Sequence, residues 1–244
     1  MIYEKKLTVN IEGTERALYI TDDLQRAGRL KEAGEAVVIY LHEGNREQDM
    51  SGFPYAVEEP EELEGEYAER AYRRLKGLPW RILETDRCLV RETTVEDVDA
   101  FYRIYSHPEI TRYMEGLYPE PEQEKQYVRD YIEKVYGFYE FGVWTVVEKA
   151  EGAVIGRAGF SYREGYDIPE LGFIIGVPWQ RQGYAGEVCR AILTYGRETL
   201  GFRQVQAVVE PRNEVSLKLC ASLGFRRQEE ILLEGRRYVR LQAG

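Results

Sequence analysis

Between an apolar run at residues 170–177 and an amphipathic run at 182–200 the chain reads Pro178-Trp179-Gln180-Arg181-Gln182-Gly183-Tyr184-Ala185-Gly186. The first run has the length and content of a strand. The second repeats Ala185, Val188, Cys189, Ile192 and Leu193 at helical spacing. A glycine-bearing turn that feeds a helix N-terminus aims several backbone N–H groups at one point, and the helix dipole adds positive potential there. Gly183 and Gly186 leave no Cβ between the backbone and an approaching anion. Taken alone, such a turn is either an anion nest or a plain tight turn. It lacks the Gly-Lys-Ser/Thr ending of a Walker A loop and the GxGxxG of a dinucleotide fingerprint.

At 244 residues the chain has room for one large domain or two modest ones. Acidic residues outnumber basic ones 43 to 33, a net charge of -10, which disfavours a nucleic-acid partner. The N-terminus has no unbroken apolar segment of a signal peptide, and no window approaches a membrane-spanning helix. Cys88, Cys189 and Cys220 are far apart, and His42 and His107 are the only histidines. That excludes a cysteine zinc site, a three-histidine site and a disulfide framework. A cytoplasmic, metal-independent protein is expected.

Residues 1–79 have their own rhythm. A strand at 17–21 ends in Asp22 and Asp23, a helix follows with Leu24, Ala27 and Leu30 on one face, and Gly34 caps it. The continuous apolar run 36–41 suits a strand covered on both faces. A second helical pattern carries Leu63, Tyr67, Ala71 and Leu75. Together these predict a small Rossmann-like three-layer α/β domain. Asp22 and Asp23 lie where open sheets place ligands, but a helix N-cap explains them equally simply. Seven glutamates between Glu58 and Glu69 read as a solvated face. This domain somewhat resembles the latter half of haloacid-dehalogenase-type phosphatases, without their nucleophile motif, so the resemblance implies no activity. Gly77-Leu78-Pro79-Trp80 marks the junction.

Residues 80–244 follow a different order. A strand at 88–91 leads to a Thr93-x-x-Glu96 capping box and a helix whose inner face is Val95, Val98, Phe101, Tyr102 and Tyr105. A second helix is expected near 122–135. Strands at 143–147 and 153–162 form a hairpin turned by Glu151-Gly152, and 170–177 is a third. After the helix at 182–200 come a strand at 205–209, a short helix at 213–223 closed by Gly224, and strands at 225–233 and 238–241.

That order carries three motifs in sequence: Gln180-Arg181-Gln182-Gly183-Tyr184-Ala185, then Asn213-Glu-Val-Ser216, then Leu223-Gly224-Phe225. Over residues 80–241 the chain resembles the GNAT family of N-acetyltransferases, in particular the branch with the ribosomal-protein N-terminal acetyltransferases. The resemblance implies an α/β fold with a mixed central sheet, two strands splayed apart in its middle, and flanking helices. It implies acetyl-coenzyme A as cosubstrate. The backbone near Ile175 and Val177 would pair with the pantetheine arm. Amides of Gln182, Gly183, Tyr184, Ala185 and Gly186 would hold the pyrophosphate, and Asn213 and Ser216 would touch the pantetheine or nucleotide end. An amide near Ile175 would stabilise the oxyanion.

Within that resemblance Glu170 is the candidate base, directly or through water, or else a structural or substrate-binding charge; Asp167 is less favoured. Cys220 stands where many members carry a tyrosine general acid, and is either a thiol donor or a small buried core residue. The acceptor would be an amine-bearing small molecule or a peptide N-terminus. Twelve aromatic residues between Phe101 and Trp144, with Glu109, Glu115 and Glu120 nearby, suit an apolar, acidic-rimmed mouth for it as well as helix packing. His107, followed by Pro108, reads as a loop or cap residue. A homodimer is compatible with this reading. The alternative function is a non-catalytic acyl-coenzyme A binding or sensing module.

Overall fold

In the N-terminal part, β1 (Glu4–Ile11) and β2 (Thr14–Thr21) form an antiparallel hairpin. Then α1 (Leu24–Glu32) crosses to β3 (Ala36–Tyr40), parallel to β2, and β4 (Ala56–Val57) adds parallel to β3 before α2 (Gly65–Leu75). The computed structural model describes residues 2–244, and its contacts separate into two units, the second being Arg81–Gly244. β3 is apolar throughout because both its faces are covered. Ala36 and Val38 pack with Leu18, Ile20, Ala68 and Ala71 on the α2 side. Val37 and Ile39 pack with Ala27 and Leu30 on the α1 side. Helices on opposite faces give the three expected layers. β1 is one of the elements that the sequence does not announce. Its alternation places Val9 and Ile11 in the core and Lys6, Thr8 and Asn10 in solvent, and pairing with β2 completes it.

The second unit opens with β5 (Arg81–Glu84) and β6 (Cys88–Arg91), followed by α3 (Val98–Tyr105), α4 (Pro108–Thr111) and α5 (Pro121–Tyr131). α5 runs through a π-helical turn, Ile132–Tyr136, into α6 (Gly137–Tyr139). Next come β7 (Val143–Glu148), β8 (Val154–Ser161), β9 (Glu170–Ile175), α7 (Tyr184–Glu198), β10 (Val205–Val209), α8 (Glu214–Ser222), β11 (Arg226–Leu233) and β12 (Arg236–Ala243). They build one sheet in the order β11-β12-β10-β9-β8-β7-β6-β5. The β9–β10 neighbours are parallel and the other pairs antiparallel. This is the mixed, helix-flanked central sheet that the motif order implies. Trp144, Tyr136, Phe101 and Phe160 are its largest fully buried side chains.

Two local expectations shift. The capping box is Thr94 with Asp97, one residue later than Thr93 with Glu96. Thr93 instead shares its hydroxyl with Thr145, 3.0 Å away, and a short 3-10 turn, Val95–Asp97, precedes α3. The strand expected over 170–177 stops at Ile175, because Val177, Pro178 and Trp179 form a 3-10 turn. Proline has no N–H for a ladder and a fixed φ that suits the turn.

Asp97 ties this region together. Its carboxylate accepts a fork from Arg91 at 2.7 and 2.7 Å, the Thr94 N–H at 2.9 Å and the Thr145 hydroxyl at 2.9 Å. It is 4% exposed, so the bonds act in a low-dielectric setting where a lone charge is costly. Asp97→Ala would leave Arg91 without its partner and is expected to cost about 3–5 kcal/mol. A urea-denaturation midpoint that hardly moves would show that Arg91 finds another anion.

Candidate active site

β9 and β10 meet at one register point, Glu170 opposite Gln206. The Gln206 N–H donates to the Pro169 carbonyl at 2.9 Å and its side-chain Nε2 to the Ile168 carbonyl at 3.2 Å. Beyond that point the strands part. On its other edge β9 stays laddered to β8 through Ile175 opposite Gly156, and the Gly176 N–H donates to the Ile155 carbonyl at 2.8 Å. Backbone groups alternate sides along a strand. The N–H and C=O of Phe173 and Ile175 therefore face the gap left by β10. Gln180 closes one of these positions by donating its Nε2 to the Ile175 carbonyl at 2.8 Å. What remains is a strand edge inside a sheet, open to an extended chain of another molecule.

The turn that follows has nest geometry. Arg181 and Gly183 both adopt left-handed backbone, with φ of 58° and 87°, and Gly183 is the N-cap of α7 without any side-chain cap. The first N–H groups of this helix of 15 residues are thus left for a ligand. Arg87 stands at the same place. Its Nε donates to Glu187 at 2.7 Å, its Nη1 to the Gln182 carbonyl at 3.0 Å, and its guanidinium lies 4.1 Å from the Tyr184 ring centre. Burial opposes the Glu187 charge, yet hydrogen bonds from Thr85 and Arg87 outweigh it and hold the carboxyl below the usual range. The result is an amide-lined nest beside an open strand edge, with the Arg87–Glu187 pair at its border.

The remaining expected site residues fall around this frame. Glu170 is 8% exposed, and both of its oxygens are held by Arg163, at 2.6 Å from Nε and 2.7 Å from Nη2. Asp167 is exposed. Asn213 caps α8, its Oδ1 accepting the Ser216 N–H at 3.2 Å, so its Nδ2 is the group left to meet a ligand. Cys220 is fully buried, and burial pushes its thiol up to about 11. His107 is a cap, accepting the Glu109 N–H at 3.3 Å. In the N-terminal unit Asp23 caps α1 through the N–H groups of Gln25 and Arg26. Asp22 accepts the Tyr3 N–H at 2.8 Å and lies 3.4 Å from His42. Both aspartates are thereby engaged in local structure. Among the described residues no group of three or more His, Cys, Asp or Glu is placed to hold a metal, and no helix is long and apolar enough to cross a membrane.

Three residues escape the sequence reading. Arg87 and Arg163 precede or follow strands with no motif around them, and only their pairing with Glu187 and Glu170 marks them. Arg157 had a visible signal, a lone cation inside the otherwise uncharged strand Val154–Ser161. The aromatic stretch divides in two. Phe101, Tyr136 and Trp144 are core, whereas Tyr118, Tyr127, Phe138 and Tyr139 are exposed, at 42% or more. Glu109, Glu115 and Glu120 are exposed as well.

The site is thus a parallel strand pair that meets at one register point beside an uncapped helix N-terminus. Residues 87–226 match the family model described as an acetyltransferase (GNAT) domain, and the chain belongs to that family, whose members transfer an acetyl group from acetyl-coenzyme A to an amine. It is 30% identical over 154 residues to the uncharacterized N-acetyltransferase YoaA of Bacillus subtilis (strain 168), covering 60% of this chain and 84% of that one. It is 28% identical over 169 residues to the ribosomal protein uS5 alanine N-acetyltransferase of Escherichia coli (strain K12), covering 63% and 84%. The ribosomal-protein-S5-alanine acetyltransferase structure from Vibrio fischeri superposes with a TM-score of 0.58 at 18% identity, over 66% of this chain and 94% of that one. The chain is thus broadly related to ribosomal-protein acetyltransferases.

Gly183 gives the nest its test. A valine there would be forced into left-handed backbone, a strain of about 1–3 kcal/mol, and its side chain would crowd Arg87, whose Nη2 lies 3.4 Å from where a Cβ would sit. Gly183→Val is expected to weaken acetyl-coenzyme A binding by more than about tenfold, measured by calorimetry, while the melting temperature falls only modestly. Loss of stability with unchanged affinity would make the turn purely structural.

Proposed function

We propose that this chain acetylates a primary amine, carried by a small molecule or a peptide N-terminus, by direct attack on acetyl-coenzyme A in a ternary complex. The observation that carries this reading is the single-point pairing of β9 with β10 next to the uncapped N-terminus of α7. The nest, with the amides of Gln182 to Gly186, takes the diphosphate. The edge of β9 takes the pantetheine arm near Ile175 and Val177, and Asn213 and Ser216 flank it. The thioester then lies in the gap, with the Ile175 N–H directed at its carbonyl oxygen as negative charge develops there. The amine nitrogen attacks the carbonyl carbon, the carbon–sulfur bond breaks, and the electron pair leaves on sulfur as the coenzyme A thiolate. On this reading residues 80–244 form the acetyltransferase domain and residues 1–79 a separate small α/β domain.

The amine arrives as an ammonium of pKa about 10 and must lose a proton to a carboxylate of intrinsic pKa about 4.3. Glu170 is the buried carboxylate at the point where β9 and β10 meet. Its fork with Arg163 orients it, and proton transfer requires one of the two bonds to open toward the amine or a bridging water. Cys220 enters differently. A fully buried thiol with its pKa raised by desolvation packs the core near Cys189. The thiolate then departs without a side-chain acid.

Thiol release from acetyl-coenzyme A across a panel of amines and ribosomal-protein N-terminal peptides tests the reading. Turnover with at least one acceptor is expected, and tight cofactor binding without turnover would favour a sensing module. The bidentate Glu170–Arg163 pair is the feature that gives that second reading its weight. Glu170→Gln is expected to lower kcat by about 10²–10⁴-fold with acetyl-coenzyme A affinity preserved, whereas Cys220→Ala should leave the pH profile of kcat in place. An unchanged kcat in the glutamine variant would assign Glu170 to holding Arg163.

A further inference from the structure

Arg157 lies in the middle of β8, in register with Thr145 of β7 and Ile174 of β9. All three side chains project to the α3 face of the sheet, where Arg157 sits 4.7 Å from the Phe101 ring centre. Its electrostatic neighbours are Tyr105, Tyr136, Tyr131 and Tyr127, and Tyr105 is within hydrogen-bonding reach. Its Nε is buried and without a hydrogen-bond partner. Among the described residues no carboxylate forms an ion pair with it. Glu124 on α5 accepts the Tyr118 N–H at 3.1 Å and acts on Tyr105 and Tyr127, and Asp97, bonded to the Thr145 hydroxyl, is already forked with Arg91.

An arginine cation removed from water without an anion is costly, because desolvation is repaid only by a partner of good geometry. The tyrosines do not supply one. Burial raises the pKa of Tyr105 and Tyr131, so they remain neutral phenols with O–H groups to donate. The Tyr131 hydroxyl already accepts the Val143 N–H at 2.8 Å, which leaves its own proton free. The cluster is therefore rich in donors.

It is also open. Gly172 of β9 belongs to the same face as Glu170 and Ile174, and a Cβ placed on it would meet nothing within 4 Å. Gly172 is in register with Gly159, two residues along β8 from Arg157. Adjacent strands lie about 4.8 Å apart, so one small molecule over Gly172 can reach both the gap beside Glu170 and the guanidinium of Arg157.

Resting on the acetyl-transfer reading, we infer that Arg157 is the specificity determinant of the acceptor site and that the acceptor amine carries a carboxylate, received by the Arg157 guanidinium and the neighbouring tyrosine hydroxyls. The guanidinium fork matches a carboxylate in two parallel bonds. The amine end then lies toward Glu170, and the acceptor is recognised as a dipolar molecule with its positive end at the thioester.

Matched acceptors test this. One arm compares glycine with glycinamide, where the carboxylate belongs to the backbone. The other compares the amidated dipeptides Ala-Glu and Ala-Gln, where it belongs to a side chain. The wild-type protein is expected to favour the carboxylate member of at least one pair by about 10- to 100-fold in kcat/KM, the worth of a charge-assisted bond. Arg157→Gln should bring the two members of that pair level, and Arg157→Lys, which keeps the charge but loses the fork, should fall between. Acetyl-coenzyme A affinity and circular dichroism show whether each variant is folded. Turnover without carboxylate preference in the wild type, or a preference that survives in Arg157→Gln, overturns the inference.

A binding measurement separates this from failure of the catalytic reading. N-acetylglycine and N-acetylglycinamide are titrated into the wild-type protein saturated with coenzyme A. Tighter binding of the acid, lost in Arg157→Gln, supports the carboxylate site even when no amine is acetylated. Equal binding of the two, or none by either, overturns it.

Discussion

Parallel strands gain stability from an uninterrupted ladder, yet β9 and β10 share one register point, Glu170 with Gln206, before they diverge. Buried backbone N–H and C=O groups need partners, so this divergence places unmet donors and acceptors in the centre of the sheet instead of at its rim. The rest of the second unit is arranged around that opening. β8 holds the intact side of β9, and β12 holds the intact side of β10 through five register pairs from Val205 to Val209. α7 then starts at the foot of the gap with its own N–H groups uncapped. A strand edge and a helix end, each an ordinary liability, become complementary halves of one elongated binding surface.

Charge is distributed with the same economy. The chain is acidic overall, but the arginines at the site have distinct neighbours. Arg87 is balanced by Glu187 and still borders the nest, and Arg163 is balanced by Glu170. Arg157 is surrounded by phenols, the Phe101 ring and the neutral Thr145 and Ile174 opposite it. Two pairs locate and orient, and the third cation awaits a counterion. Glu109, Glu115 and Glu120 are exposed, whereas Glu170 and Asp97 are buried against the arginines that hold them.

Most of the second unit was legible because its signals are local. The strand Val205–Val209 is bounded as its apolar run suggests, and the turn at Gln182-Gly183 announces both a strand end and a helix start. Where boundaries moved, a neighbour decided. Thr93 was drawn to Thr145, so the cap passed to Thr94, and Pro178 ended β9 early. β1 was hidden for a similar reason, since its alternation becomes a strand only when β2 folds back on it. The site was legible to the extent that it is made of backbone. Its side-chain partners were not, because Arg87 meets Glu187 across 100 positions of sequence, and no periodicity records such a meeting.

The three cysteines lead to a different kind of conclusion. Cys88, Cys189 and Cys220 are all buried and unpaired. Desolvation pushes the Cys88 and Cys220 thiols up to about 11 and raises Cys189 too. A thiol held in that form is a poor nucleophile and a slow target for oxidants. None of these three thiols is a ready redox handle, so a disulfide reagent would find little to react with until the core opens. Reagent uptake by these sulfurs therefore counts unfolded molecules, which makes the protein a built-in gauge of its own integrity.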